Sequence, residues 1–79
     1  MRINPGDLET DRFGHGVVLH QNMFMPNSRS VWLRDSEVAL VTWVGQIKEA
    51  IGNANRDVCD VLFQGEVWRA NTIGLRVVE

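Results

Sequence analysis

DVCDVLFQGEVWRANTIGLRVVE, residues 57–79, decides how this chain folds. Val58, Cys59, Val61, Leu62 and Phe63 are β-branched, aromatic or apolar, which suits a pleated, half-buried strand. Gln64-Gly65 interrupts the run and Val67-Trp68 resumes it. Taking Gln64 and Gly65 as a two-residue hairpin loop sets the register. Phe63 then faces Glu66, Leu62 faces Val67, Val61 faces Trp68, Asp60 faces Arg69 and Cys59 faces Ala70. One face carries Cys59, Val61, Phe63, Trp68 and Ala70 and is the expected core face. The other sets Asp60 opposite Arg69, an opposite-charge pair of a kind worth about 0.2–1 kcal/mol. Asn71-Thr72 ends the second strand, and Leu75, Val77 and Val78 make a last short one.

Working outward, Asn4-Pro5-Gly6-Asp7 is a turn by composition. Leu8 opens a short polar strand ending near Asp11. Phe13-Gly14-His15-Gly16 is a second tight turn, and Gly16 to His20 is the second strand. Gln21 to Arg29 is loop-like, broken by Pro26-Asn27-Ser28. Met23, Phe24 and Met25 within it either fold back over an open barrel end or form a partner-contact tip, since Met and Phe suit adaptable contact surfaces. Ser30 to Arg34 is a short strand with Val31 and Leu33 on one face and Trp32 on the other.

The next segment has two readings. Asp35 or Ser36 can cap a helix, and Leu40, Val44, Ile47 and Ile51 fall at helical spacing with Trp43 beside them. Gly52-Asn53 fits a C-cap. This spacing predicts a helix over 36–51. Against it, Val38 to Val44 has strong β propensity, and Gly45 costs about 1 kcal/mol in a helix interior. The alternative is a strand through Val44 followed by a shorter helix over 45–51. Asn53 to Asp57 is then a polar connector into the hairpin.

A chain of 79 residues is one domain, near the lower limit for a self-sufficient core. Its 44% hydrophobic content rules out a disordered chain. The net charge of −2 and the scattered basic residues disfavour nucleic acid and anionic membranes as partners. The one cysteine, Cys59, reads as a buried small hydrophobe and allows no intrachain disulfide. MRINPGDLET lacks the apolar segment of a signal peptide. The longest apolar run, Val38 to Val41, is far short of the roughly 20 residues that span a bilayer.

Gly6-Asp7-Leu8, then Gly14 and Gly16 with Val17-Val18, resembles the GDLV…G…GVV opening of short SH3-like barrels related to KOW and Tudor domains. The closing VCDVLFQGEVWRANTIGLRVVE is similar to their VxVxWxxG…LxxV ending. The likeness covers the first 20 and last 23 residues, and Gln21 to Arg56 departs from it. The pattern recurs in small phage-encoded proteins, where such barrels serve as virion parts. The resemblance transfers no catalytic residue. The expected fold class is therefore mainly β with one helix (α+β). It is a single SH3-like antiparallel barrel over 1–79, with an inserted loop–helix segment at about 21–56.

No chemistry stands out. His15 and His20 have no nucleophile motif to serve, and with Cys59, Asp11 and Asp60 they show no metal-ligand spacing. Gly14-His15-Gly16 lacks the lysine and following helix of a phosphate loop. The expectation is a non-enzymatic structural protein without metal or cofactor, a small phage virion component such as a head cement, adaptor or tail-associated subunit. It would work by protein–protein contact, either self-association or binding to other virion proteins. It would be located in the virion or the host cytoplasm, not secreted. The expected partner-binding residues are Met23, Phe24, Met25, Trp32 and Trp43, with Trp43 equally suited to a core. The alternative is a cytoplasmic regulatory module recognising a host or mobile-element protein or a nucleic acid through Trp32, Arg34, Trp68 and Arg69.

Overall fold

The computed structural model describes residues 3–22, 27–48 and 55–78. Seven strands follow in chain order: β1 (Leu8–Asp11), β2 (Val17–His20), β3 (Ser30–Leu33), β4 (Ala39–Lys48), β5 (Asn55–Phe63), β6 (Glu66–Asn71) and β7 (Leu75–Val77). They form one antiparallel sheet in the order β3-β2-β6-β5-β4-β1-β7. A single 3-10 turn, Thr72–Gly74, links β6 to β7.

The C-terminal hairpin has the expected register, from Phe63 opposite Glu66 through to Cys59 opposite Ala70. Gln64 and Gly65 both have positive φ, +54° and +78°, the mark of a type I′ turn whose twist matches the flanking strands. Cys59, Val61, Phe63, Trp68 and Ala70 are buried and join Leu19, Leu33, Ala39, Val41 and Leu75 in one core on the inner face of the sheet. The Trp68 indole N–H donates to the Phe63 carbonyl at 3.1 Å, so its one polar atom is satisfied inside.

The helix expected over 36–51 is not there in the described part, 36–48, and the α+β class is corrected to an all-antiparallel β fold. Strand accounts for 61% of the described residues, and no α-helix occurs among them. Ser36 has φ of +78°, which no helix start adopts, and Ala39 to Lys48 is strand. The β-branched residues and Trp43 outweigh the helical spacing because a long partner is available. β5 starts at Asn55, so residues 55–57, read as connector, are strand and pair with Gln46, Ile47 and Lys48. The shorter helix of the alternative reading is likewise replaced by strand at 45–48, while 49–51 lie outside the described residues. The described residues between Gln21 and Arg56 thus supply β3, β4 and the start of β5 rather than a helix.

The sheet curls into a half-barrel rather than the expected closed barrel. Its two edge strands, β3 and β7, share no ladder, but their neighbourhoods meet. Arg76 of β7 reaches Asp35, just past β3, at 3.8 Å. At Gly74, a Cβ would stand 2.8 Å from Cγ2 of Val17 at the start of β2. The turn after β1 is held by Asp11, whose buried carboxylate accepts from the N–H groups of Gly16 (2.9 Å) and Phe13 (3.3 Å). Burial opposes that charge, but the Gly16, Phe13 and Gly14 N–H groups and nearby His15 hold the pKa below 3.8.

Candidate interaction face

Two surfaces could serve a function, a groove at the mouth of the half-barrel and the outer face of the sheet. The groove has a cavity volume of about 810 Å³ and is lined by Val44, Gln46, Asp57, Ile73, Leu75 and Arg76 among others. Its acid, Asp57, already accepts from Gln46 Nε2 at 2.8 Å. None of its lining residues is a histidine, serine or cysteine. Its one hydroxyl-bearing lining residue, Thr72, is turned to the Asp57 backbone carbonyl at 3.5 Å.

The outer face is built by strand alternation and register. Leu8 is opposite Leu40, Leu40 is opposite Leu62, and Leu62 is opposite Val67. Four apolar side chains thus stand side by side across β1, β4, β5 and β6. They point away from the core, because each follows or precedes an inward neighbour: Ala39 and Val41 around Leu40, Val61 and Phe63 around Leu62, Trp68 after Val67. Their exposures are 48%, 37%, 40% and 56%. A scattered exposed leucine needs no explanation, but an unbroken cross-strand row is a patch.

Beside this row runs a second: Trp43 opposite Asp60, Asp60 opposite Arg69, Arg69 opposite His20. Arg69 donates to both carboxylate oxygens of Asp60, at 2.8 and 3.3 Å, as the hairpin register anticipates. That hydrogen bonding raises the pKa of Arg69 above its ordinary value. The guanidinium also lies 5.2 Å from the centre of the Trp43 ring, within cation–π range.

A β-bulge decides where Trp43 points. The pairing is regular through Val41–Val61, then slips so that Thr42 and Trp43 together oppose Asp60, and resumes with Val44–Cys59. Without the extra residue, Trp43 would share the inward parity of Val41. With it, the indole turns outward over Gly45, where a Cβ would overlap the ring. Val58, across the strand from Gly45, is fully buried although it lies outside the core cluster.

The other expected residues divide. Met23, Phe24 and Met25 lie outside the described residues. Trp32 is 48% exposed and by alternation shares the outer face, but it stands on edge strand β3, two strands from β6, and its ring covers Gly16. Trp68, the aromatic of the regulatory-module reading, is 4% exposed in the core, and Arg69 is taken up by Asp60. The row Leu8–Leu40–Leu62–Val67 is absent from the sequence expectation. The Leu62–Val67 pair is legible in the hairpin register, whereas helical spacing places Leu40 on a helix face.

His15, His20 and Cys59 each sit in a different setting. His15 stacks on Phe13 in the β1–β2 turn, with centroids 5.5 Å apart, and its Nδ1 lies 2.9 Å from the Gly16 carbonyl. His20 is on β2, and Cys59 is buried in the core with its thiol pushed up to about 12 by burial and by the charges of Glu9 and Asp60. Among the described residues no three His, Cys, Asp or Glu side chains gather as metal ligands, and no helix is long and apolar enough to cross a membrane. No family model, curated protein or solved structure matches the chain.

Proposed function

We propose that this protein is a non-enzymatic structural subunit that works by protein–protein contact through the outer face of its sheet. The observation that carries the reading is the unbroken apolar row Leu8–Leu40–Leu62–Val67, flanked by an outward Trp43. Among the described residues the curl of the sheet covers its inner apolar face, while the four residues of the outer row stay 37–56% exposed. The flanking charges, Asp60 and Arg69, are paired with each other, so docking a partner strands no lone ion.

The narrower form of the proposal, a phage virion component, rests on the likeness of Gly6–Val18 and Val58–Glu79 to small phage-encoded barrel proteins. The test is sedimentation of the tagged chain expressed from its native locus with its neighbouring genes. The chain should travel with a large assembly, and Leu62→Glu should leave it in the slow fraction. A chain that sediments only as a free monomer, with or without the substitution, would refute the reading.

A further inference from the structure

We infer that the occupant of the outer face is a second copy of this chain, packed sheet on sheet about a two-fold axis. The inference rests on the reading above and names the partner. Three features of the face favour self-packing over an unrelated protein. The first is symmetry. The row crosses four strands at right angles to them, so a two-fold axis in the plane of the interface, along the row or along the strands, lays the row on itself. Leucine and valine then meet leucine and valine in either arrangement.

The second is charge. A face made for a different partner commonly carries a charge for that partner to answer. Here the bidentate Asp60–Arg69 pair, further held by Trp43, leaves none beside the row, and a copy brings the same neutral surface. The third is area. The exposed parts of Leu8, Leu40, Leu62, Val67 and Trp43 amount to roughly 450 Å², within the range of large functional patches. A standard interface buries about 800 Å² per partner, of which about 56–58% is apolar. The patch therefore supplies the apolar share, and Thr42, Asp60, Arg69 and His20 supply the polar surround.

The experiment uses the purified full chain. Light scattering coupled to size exclusion should give twice the chain mass. Leu62→Glu should give the monomer with an unchanged β-type circular dichroism spectrum, its dimer affinity down roughly a hundredfold as a buried unpaired charge at an interface centre demands. Ile73→Glu, equally drastic but on the groove side, should remain dimeric. Leu62→Cys adds a test of symmetry. Native Cys59 is buried and inert, so a short bismaleimide should link the introduced thiol to its own copy and to nothing else. A native chain that is monomeric at every concentration, a dimer indifferent to Leu62→Glu, or a dimer that Leu62→Cys cannot link would each overturn the inference. If the native chain is monomeric yet still enters a large assembly that Leu62→Glu abolishes, the second copy is wrong and the contact face stands. If neither occurs, both fall.

Discussion

Both carboxylate oxygens of Glu9 are buried with no hydrogen-bond partner among the described residues, between Ala39 and Val77 of the adjoining strands. Burial, aided by the nearby charge of Asp7, raises its pKa from 4.5 to about 7. The sign of the consequence follows from proton linkage. The folded state binds the Glu9 proton more tightly than the unfolded chain does. The stabilisation is fully present below about 4.5, and is lost as pH rises through about 7. Over that window the loss is of the order of 3 kcal/mol, a large part of a small domain's stability. Urea midpoints measured from pH 4.5 to 8 should therefore fall with pH, and Glu9→Gln, which carries no titrating proton, should flatten the slope. An unchanged slope in the variant would mean that another group sets it. Asp11 acts in the opposite sense and in a lower window, below 3.8, because its folded pKa is depressed. Nothing in the letters Leu8-Glu9-Thr10-Asp11 announces burial. The segment reads as a polar strand, and Glu9, Thr10 and Asp11 are buried where β1 runs between β4 and β7, a fact of topology rather than of local pattern.

Elements divide by how local their causes are. The C-terminal hairpin was legible to the residue because its register depends on one turn and one alternation, both contained in fifteen consecutive positions (57–71). Its turn also yields a prediction. Gln64 occupies a left-handed conformation that asparagine adopts more readily, so Gln64→Asn should raise stability by about 0.5 kcal/mol in thermal or urea melts. A decrease would mean that the glutamine side chain does something the backbone does not show. β4 is hidden in the sequence for the complementary reason. Leu40, Val44 and Ile47 do repeat at helical spacing, but a bulge at Thr42–Trp43 shifts the strand's alternation by one, so no clean period of two survives to be recognised. The glycine that counted against a helix has a different purpose in the strand: it makes room for the outward indole. Gly45→Ala should displace Trp43, redden and weaken its fluorescence signature, and cost about 1–3 kcal/mol as an overpacked site does. In a Trp43→Leu background the same substitution should cost much less. Equal costs in both backgrounds would show that the glycine is needed for its backbone alone.

At the scale of the whole molecule, the described residues of the curled sheet bury its inner face and leave an apolar row exposed on the outer one. Neighbouring residues on β5 make the division measurable. Val61 faces inward and is fully buried, whereas Leu62 faces outward at 40% exposure. In dilute solution Val61→Ala should cost about 2 kcal/mol, the transfer of two carbons plus the cavity left behind, while Leu62→Ala should stay within about 0.5 kcal/mol as surface changes do. If the outer face packs on a second copy, this asymmetry must shrink with concentration, because mass action then makes Leu62 a core residue of the dimer. A hundredfold rise in protein concentration stabilises a folded dimer by about 2.7 kcal/mol, half of it per chain. For a domain of this size, where each kcal/mol moves Tm by about 4–8 °C, the native Tm should climb by several degrees between micromolar and hundred-micromolar chain. The Tm of Leu62→Glu should stay flat over the same range, and that of Ile73→Glu should climb like the native. A native Tm independent of concentration would place the chain among stable monomers and leave the row Leu8–Leu40–Leu62–Val67 without a copy to cover it. The hairpin register alone exposes the Leu62–Val67 pair. Leu8 and Leu40 join it only once β4 is a strand lying between β1 and β5. The surface most suited to function is thus a product of long-range strand order, which is why no single stretch of the sequence displays it.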